Sequence, residues 1–336
     1  ISANRGTVNE AAQIVTRGES GSAVIGVSGY NGAFSNDNYV LRVKVTPPPT
    51  LPACDPVTGL GTATPGTLPA VPSSPDPTVK TLFLINRQRL VGLYGQTATD
   101  QLFGTSSPLN AVATDPRVGG VVLPVDGDQN VRNAYSTWDQ NPCSIDAANG
   151  VVRSINALVA SYRPKYPSLK YVVLLGTDTT LPSWRQQDLT STSPEVDEAN
   201  DLAFTTNGLT KGNSIYAAAA QNAYLTDQAY GAFKERVWLG HDIPLADVSV
   251  SRLVETPDDI IGQLNQYLDP TVAGHLSLHS AFTTGESFFS DGAGAASSSL
   301  GTQLGLLTAS QQALLTPGTL WSRNDVLGDF FNKTTV

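Results

Sequence analysis

The stretch SVSRLVETPDDIIGQLNQYL, residues 249–268, decides the fold class, because it reads as a strand, a turn and a helix in succession. Thr256 supplies the hydroxyl of a helix N-cap, and Pro257 follows at the first helical position, where its missing N–H is no loss. Two aspartates in the first turn complement the positive end of the helix dipole. Apolar residues then recur at helical spacing, at Ile260, Ile261, Leu264 and Leu268.

Similar apolar runs, each typical of a strand that is buried on both faces, occur along the chain from residue 78 onward. They cover residues 78–86, 118–126, 169–178, 246–253 and 275–285. The spacing of apolar residues predicts helices at 146–162, 292–307 and 323–332. Strands that alternate with helices form a mostly parallel sheet with helices on both faces. The predicted class is therefore α/β.

The composition divides the chain into three parts. Residues 1–46 alternate apolar and polar positions between turn sequences, which predicts β-strands. These 46 residues are few for an independent sandwich, so we expect the last strands of a β-sandwich that begins upstream. Residues 47–78, rich in Pro, Gly, Ser and Thr, predict an extended linker along a neighbouring surface. Residues 79–336 form the α/β domain.

The overall composition excludes some partners. Only 15% of the residues are charged and the net charge is -9, which argues against nucleic acid or an anionic membrane as a partner. No apolar run approaches the roughly 18 residues that a membrane-spanning helix needs. The many uncharged polar residues are typical of extracellular proteins. The lack of methionine and the start at Ile1 indicate a fragment processed from a larger precursor.

The reactive side chains give few signals of their own. Cys54 and Cys143 lie in no zinc-binding pattern, and an even count in a chain of secreted character predicts one disulfide, with two unpaired thiols as the alternative. The chain contains no GxSxG elbow, P-loop, GxGxxG after a strand, or HExxH motif. His241 is interpreted as a loop residue, and His275 and His279 as solvated or hydrogen-bonded residues.

Four stretches in order nevertheless carry a resemblance. They are KYVVLLGTDTTLP (170–182), LTDQAYGAF (225–233), DVSVSRLVETPDDIIGQLNQYL (247–268) and SLHSAFTTGESFFSDGAGAASSSL (277–300). Together they resemble the gingipain-like cysteine peptidases, a secreted bacterial family related in fold to caspases, with Ser251 where the family usually has Gly. YVLRVKV (39–45) resembles the closing strand of the pre-peptidase domains found beside secreted bacterial proteases.

The resemblance implies a caspase-like fold and a cysteine endopeptidase mechanism. In such a mechanism a thiolate attacks the peptide carbonyl, a histidine transfers the protons, and backbone amides bind the oxyanion. The family's catalytic His and Cys each follow a later strand, so we expect neither in this chain and both beyond Val336. They would lie on a second polypeptide after cleavage or on a missing continuation, unless the protein is not a peptidase.

Two acidic residues take roles from the resemblance. Glu286 matches the position of an acid that orients the catalytic histidine, or is a solvated loop glutamate. Asp291 matches the carboxylate of the substrate pocket in Arg-specific members, or is the N-cap of the helix from Gly292. Asp227 is interpreted as a turn or hydrogen-bonding residue rather than a catalytic one.

A loop rich in acids offers oxygen ligands that suit calcium, which secreted peptidases often use to rigidify loops. The four carboxylates are Asp188, Asp197, Glu198 and Asp201. No EF-hand pattern is present, and a solvated acidic loop is the alternative. No other cofactor is expected.

These observations lead to two rival functions. The first is part of a secreted or cell-surface endopeptidase that acts on peptides or proteins. Its partner would be a continuation or a second fragment of the same precursor. The second is a non-catalytic extracellular structural or assembly protein that uses the caspase-like fold as a scaffold and completes its sheet with another chain, including a copy of itself.

Overall fold

The computed structural model describes residues 26, 40–43, 54–104, 106–189, 195–196, 199, 213–234, 236–238, 241–271, 291–292, 294–296 and 298–299. The chain divides into two units, Ile1–Asn265 and Gln266–Val336. Most of the predicted β-sandwich, the strand at 275–285 and the helix at 323–332 lie outside the described residues. The architecture below belongs to the first unit.

Four parallel strands form the central sheet, so the predicted α/β class is confirmed. They are β1 (Thr81–Ile85), β2 (Gly120–Pro124), β3 (Tyr171–Leu175) and, later in the chain, Ser249–Leu253, numbered β8 below. Their spatial order is β2-β1-β3-β8. Leu82 of β1 pairs with Val121 of β2 and with Val172 of β3, and Leu174 pairs with Arg252 of β8. All four strands lie within apolar runs identified in the sequence.

Strand β1 explains why these runs are continuous rather than alternating. All five of its residues are buried, so side chains on both faces of the strand are covered. Leu82 and Leu84 belong to one large apolar cluster, together with Leu174 of β3 and residues of two helices, including Val131 and Ile155. This cluster forms the main core on one face of the sheet.

The helices begin at residues whose side chains accept backbone N–H groups. Asn86 caps α1, Ser107 caps α3, Asp128 caps α4 and Ser144 caps α5. The helices are α1 (Arg87–Tyr94), α2 (Gln96–Phe103), α3 (Pro108–Thr114), α4 (Gln129–Gln140), α5 (Ile145–Tyr162), α6 (Ser214–Ala220) and α7 (Pro257–Leu268). The sequence located α5 and α7 closely but did not predict α1 to α4 or α6.

Two short antiparallel ladders accompany the main sheet. Strands β4 (Trp184–Gln187) and β5 (Ala223–Thr226) pair with each other, and β6 (Val237–Trp238) pairs with β7 (His241–Asp242). The first ladder follows the loop after β3 and packs against α5. There Asn149 donates to the carbonyl of Arg185 at 3.0 Å and accepts from its N–H at 2.7 Å, so a helix side chain completes the edge of β4.

The end of the predicted linker is bound along the α/β domain. We call residues 54–68 the strap. Its Gly66 N–H donates to Asp126 at 2.8 Å, and Gln88 donates to the carbonyls of Gly61 and Ala63. The predicted disulfide joins Cys54 to Cys143, across a sequence separation of 89 residues, and so ties the start of the strap to the loop before α5.

Candidate functional site at the carboxyl edge of the sheet

Three of the four stretches that carry the family resemblance meet at the carboxyl ends of β3 and β8. The Nη1 of Arg252, at the end of β8, donates to the carbonyl of Gly176, directly after β3, at 2.9 Å. The hydroxyl of Tyr230 donates to the carbonyl of Pro182 at 2.7 Å. Segments around residues 176–182, 225–231 and 249–253 are therefore joined by direct hydrogen bonds.

The centre of this junction is the ion pair between Arg252 and Asp227. The guanidinium donates to both carboxylate oxygens, at 2.8 Å from Nε and 2.6 Å from Nη2. The side chains are 14% and 26% exposed, respectively. Desolvation by burial lowers the pKa of Arg252, but the hydrogen bonds and charge of Asp227 outweigh it and leave the pKa raised. The Arg252 guanidinium therefore stays charged at every physiological pH.

A second ion pair fixes the loop that follows β3. Arg185 donates to both carboxylate oxygens of Asp178, at 2.8 and 2.6 Å, and this carboxylate also accepts the N–H of Ser183 at 2.8 Å. The Ser183 hydroxyl donates to Asp227 at 2.8 Å and so links the two pairs. Together these contacts hold the loop in one conformation.

Glycines in two of the motifs are required by close packing. Gly176 has a φ of +109°, which L side chains rarely adopt, and a Cβ there would overlap the Thr180 side chain. A Cβ on Gly231 would lie 2.7 Å from the carbonyl oxygen of Val248 and equally close to the Val250 side chain. The sequence GTD thus permits the sharp turn after β3, and the sequence YG lets the loop after β5 approach β8.

The chemistry of this edge is that of a rigid frame. The carboxylates of Asp178 and Asp227 are both held by arginines, and burial raises the pKa of Tyr230 well above its ordinary value. Both cysteines form the disulfide, and His241, the histidine whose backbone the structure describes, lies in the short strand β7 rather than in the predicted loop. Within the described ranges, the frame therefore presents no thiol–imidazole pair, and its residues act by positioning.

Of the four predicted calcium ligands, the structure describes Asp188. This residue is buried, its carboxylate accepts the N–H of Glu195 at 2.9 Å, and its carbonyl accepts from Asn222 at 3.1 Å. Asp197, Glu198 and Asp201 lie outside the described residues. Among the residues that are described, no group of three or more candidate ligands surrounds a common point. The calcium site stays a prediction.

Asp291 lies in a helical segment of the second unit. It is exposed, and its carboxylate accepts the N–H of the next residue, Gly292, at 2.8 Å. Its role in binding substrate stays a prediction. Glu286 and the two histidines His275 and His279 lie outside the described residues.

Sequence reasoning missed the partners of the charged residues at this edge. Asp227 was expected to form hydrogen bonds, and it does, but nothing indicated that its partner is Arg252. Arg185 and Asp178 were not singled out, although an arginine in a strand seven positions after an aspartate is a signal that could have been weighed. The buried Arg89, described below, was missed as well.

Comparison with protein-family models, with curated proteins and with solved structures finds no match to this chain. The α/β class rests on the parallel sheet and its helices. Among the described residues, no helix combines the length and the apolar character that crossing a membrane requires.

Proposed function

We propose that this chain is part of a secreted or cell-surface gingipain-like cysteine endopeptidase whose catalytic histidine and cysteine follow Val336. The observation that carries the proposal is the convergence of three resembling stretches on the Arg252–Asp227 pair. Motifs that are distant in the sequence share one site because their residues bond to one another.

The position of the convergence supports the same proposal. Open parallel α/β sheets bind ligands outside the carboxyl ends of their strands, and the pair lies at the carboxyl ends of β3 and β8. A thiolate and an imidazole attached to later strands of this sheet would have to be held to within a fraction of an ångström. The role of Arg252 and Asp227 would be to keep the neighbouring loops fixed for that purpose.

A non-catalytic scaffold is the second candidate, and one observation favours it. Each buried arginine of the carboxyl edge is neutralised by an aspartate, at 2.8 Å or less for Arg89, Arg185 and Arg252. Such an arrangement stabilises a surface without preparing any group for proton transfer. The Cys54–Cys143 disulfide suits the oxidising extracellular environment that both candidates share.

The test begins with the protein purified from its natural source. Denaturing mass spectrometry and N-terminal sequencing of every co-purifying chain should find a segment that continues after Val336 and carries a histidine and a cysteine. An Arg-directed acyloxymethyl ketone should then label that cysteine, and the matched Asp-directed reagent should not. A continuation without these residues, or a native protein that neither reagent labels, would support the scaffold.

A further inference from the structure

A cavity of about 400 Å³ opens at the carboxyl end of β1, away from the Arg252–Asp227 pair. Its walls are the strap at 56–61, the start of α1 and one side of α4. Its remaining wall comes from the segment after β2, at Asp126, so the cavity lies outside the carboxyl ends of two neighbouring parallel strands. Open α/β sheets bind small molecules outside this edge, and the volume suits one.

The charges that line the cavity balance one another. Arg89 donates from Nη1 to both oxygens of Asp139, at 2.8 and 3.0 Å, and from Nε to the carbonyl of Thr179 at 2.6 Å. Its guanidinium also lies over the rings of Tyr135 and Trp138, which fixes it further.

The second acid of the wall, Asp126, is compensated by the backbone. It accepts N–H groups of Gly66, Arg87 and Gln88, at 2.8 to 3.2 Å. Arg132 donates from Nη1 to the Asp126 carbonyl and from Nη2 to the Gln129 side chain. With two arginines and two aspartates, the wall has no excess charge, so it favours a neutral ligand over an anion or a cation.

Two nearly fully buried side chains in the wall keep unused hydrogen-bonding groups. Gln88 is 6% exposed and Arg89 is 2% exposed. Gln88 donates both of its bonds from Nε2, and Arg89 uses Nε and Nη1. Among the described residues, neither Oε1 of Gln88 nor Nη2 of Arg89 has a hydrogen-bond partner. A buried polar atom without a partner is costly, so an acceptor and a donor stand ready for a ligand.

The mouth of the cavity adds neutral hydroxyl and amide groups. Thr58 of the strap and Ser136 and Gln140 of α4 line it and are exposed. Each of these groups can donate and accept hydrogen bonds. An apolar ligand would leave the buried polar groups of Gln88 and Arg89 without hydrogen bonds. A charged ligand would find every opposite charge of the wall already paired.

From this lining we propose that the cavity binds a neutral saccharide. Every sugar hydroxyl can donate and accept, which suits a lining that offers an acceptor at Gln88, a donor at Arg89, and amides and hydroxyls at the mouth. The saccharide proposal does not rest on the peptidase proposal, because it needs neither Arg252 nor Asp227. It would give an extracellular protein a means of attachment to glycans.

The test is titration of the intact, disulfide-bonded chain with neutral hexoses, N-acetylhexosamines and their disaccharides, followed by saturation-transfer NMR and calorimetry. At least one should bind with a dissociation constant on the order of 1 mM or below. Ser136→Leu, which fills the mouth, should weaken binding about tenfold or more. A tenfold change in the dissociation constant corresponds to about 1.4 kcal/mol of binding free energy. Thr137→Leu, its exposed neighbour outside the cavity, is the matched control and should bind normally.

Thermal melts of both variants show whether they are folded, and Gln140→Leu repeats the test from another position of the mouth. The proposal is overturned if no neutral saccharide binds at about 20 mM, well above the expected constant. It is equally overturned if the Ser136 and Gln140 variants bind as the unaltered chain does. The cavity would belong to another ligand class if sulfate or an uncharged tripeptide amide bound instead of sugars and the same variants abolished that binding.

Discussion

Arg252→Met removes a guanidinium that joins three segments while it keeps most of the side chain's apolar length. The variant loses two hydrogen bonds to the Asp227 carboxylate and one to the Gly176 carbonyl. Removal of one partner from a fully buried ion pair costs about 3–5 kcal/mol, because the other charge stays behind without compensation. Here the Asp227 side chain is 26% exposed, so water can reach it. Asp227 also keeps the Ser183 hydroxyl as a donor.

We therefore expect Arg252→Met to lower the free energy of unfolding by about 2–3 kcal/mol. The measurement is urea unfolding at neutral pH, followed by the fluorescence of the tryptophans. Lys234→Met is the matched control, since this lysine is 70% exposed and lies 3.9 Å from Asp247; its loss should cost less than about 0.5 kcal/mol.

A double variant separates the ion pair from other effects of the substitution. Asp227→Asn combined with Arg252→Met should cost less than the sum of the two single changes, by about 1–2 kcal/mol. If Arg252→Met costs no more than the lysine control, or the two changes simply add, then the pair does not join the segments and the argument for the carboxyl-edge frame is wrong.

Three further outcomes are expected. Replacement of Cys54 and Cys143 by serine should lower the unfolding free energy by about 2–4 kcal/mol, measured by urea unfolding; an unchanged midpoint would contradict a stabilising crosslink. Gly176→Ala should lower the melting temperature, since strain at positive φ alone costs about 1–3 kcal/mol. Gly150→Ala is the control and should not lower it, because Gly150 lies in helix α5 with open space around its Cα. Equal effects of the two substitutions would refute the reasoning. Hydrogen bonds from Arg236 hold the pKa of Asp247 below its ordinary value. A carboxyl group whose pKa is lower in the folded state stabilises the protein above its unfolded-state pKa, and this stability is lost as the pH falls through its folded-state pKa. Between neutral pH and about pH 3, the Asp247→Asn variant should therefore lose less stability than the unaltered chain.

Several elements that the sequence predicted bury apolar residues. Strand β1 is a continuous apolar run because both of its faces are covered, β3 buries Val172, Leu174 and Leu175, and helix α5 combines a serine cap with regular apolar spacing. Their positions could be found from local sequence alone, since the residues that matter are neighbours in the chain.

Two of the elements that were missed bury polar residues. Helix α1 buries Gln88 and Arg89 beside Leu90, and strand β4 buries Arg185 and Gln186 beside Trp184. Neither segment shows an apolar period. The charge of Arg89 is compensated by an aspartate 50 positions later, which no local pattern reveals. The site could not be predicted in detail for the same reason, because its contacts join residues that are distant in the sequence.

The buried Arg–Asp pairs bear on what the carboxyl edge is for. A buried ion pair contributes little net stability compared with apolar residues of the same volume, and the benefit it can give is a unique arrangement of the groups it joins. In this chain, the pairs of Arg89, Arg185 and Arg252 all involve segments that follow the strands of the sheet, while the interior of β1 is entirely apolar apart from Thr81. If stability alone had determined these positions, apolar residues would serve equally well. Their concentration at one edge indicates that the loops there must be held in defined positions, which is what a binding or catalytic surface requires.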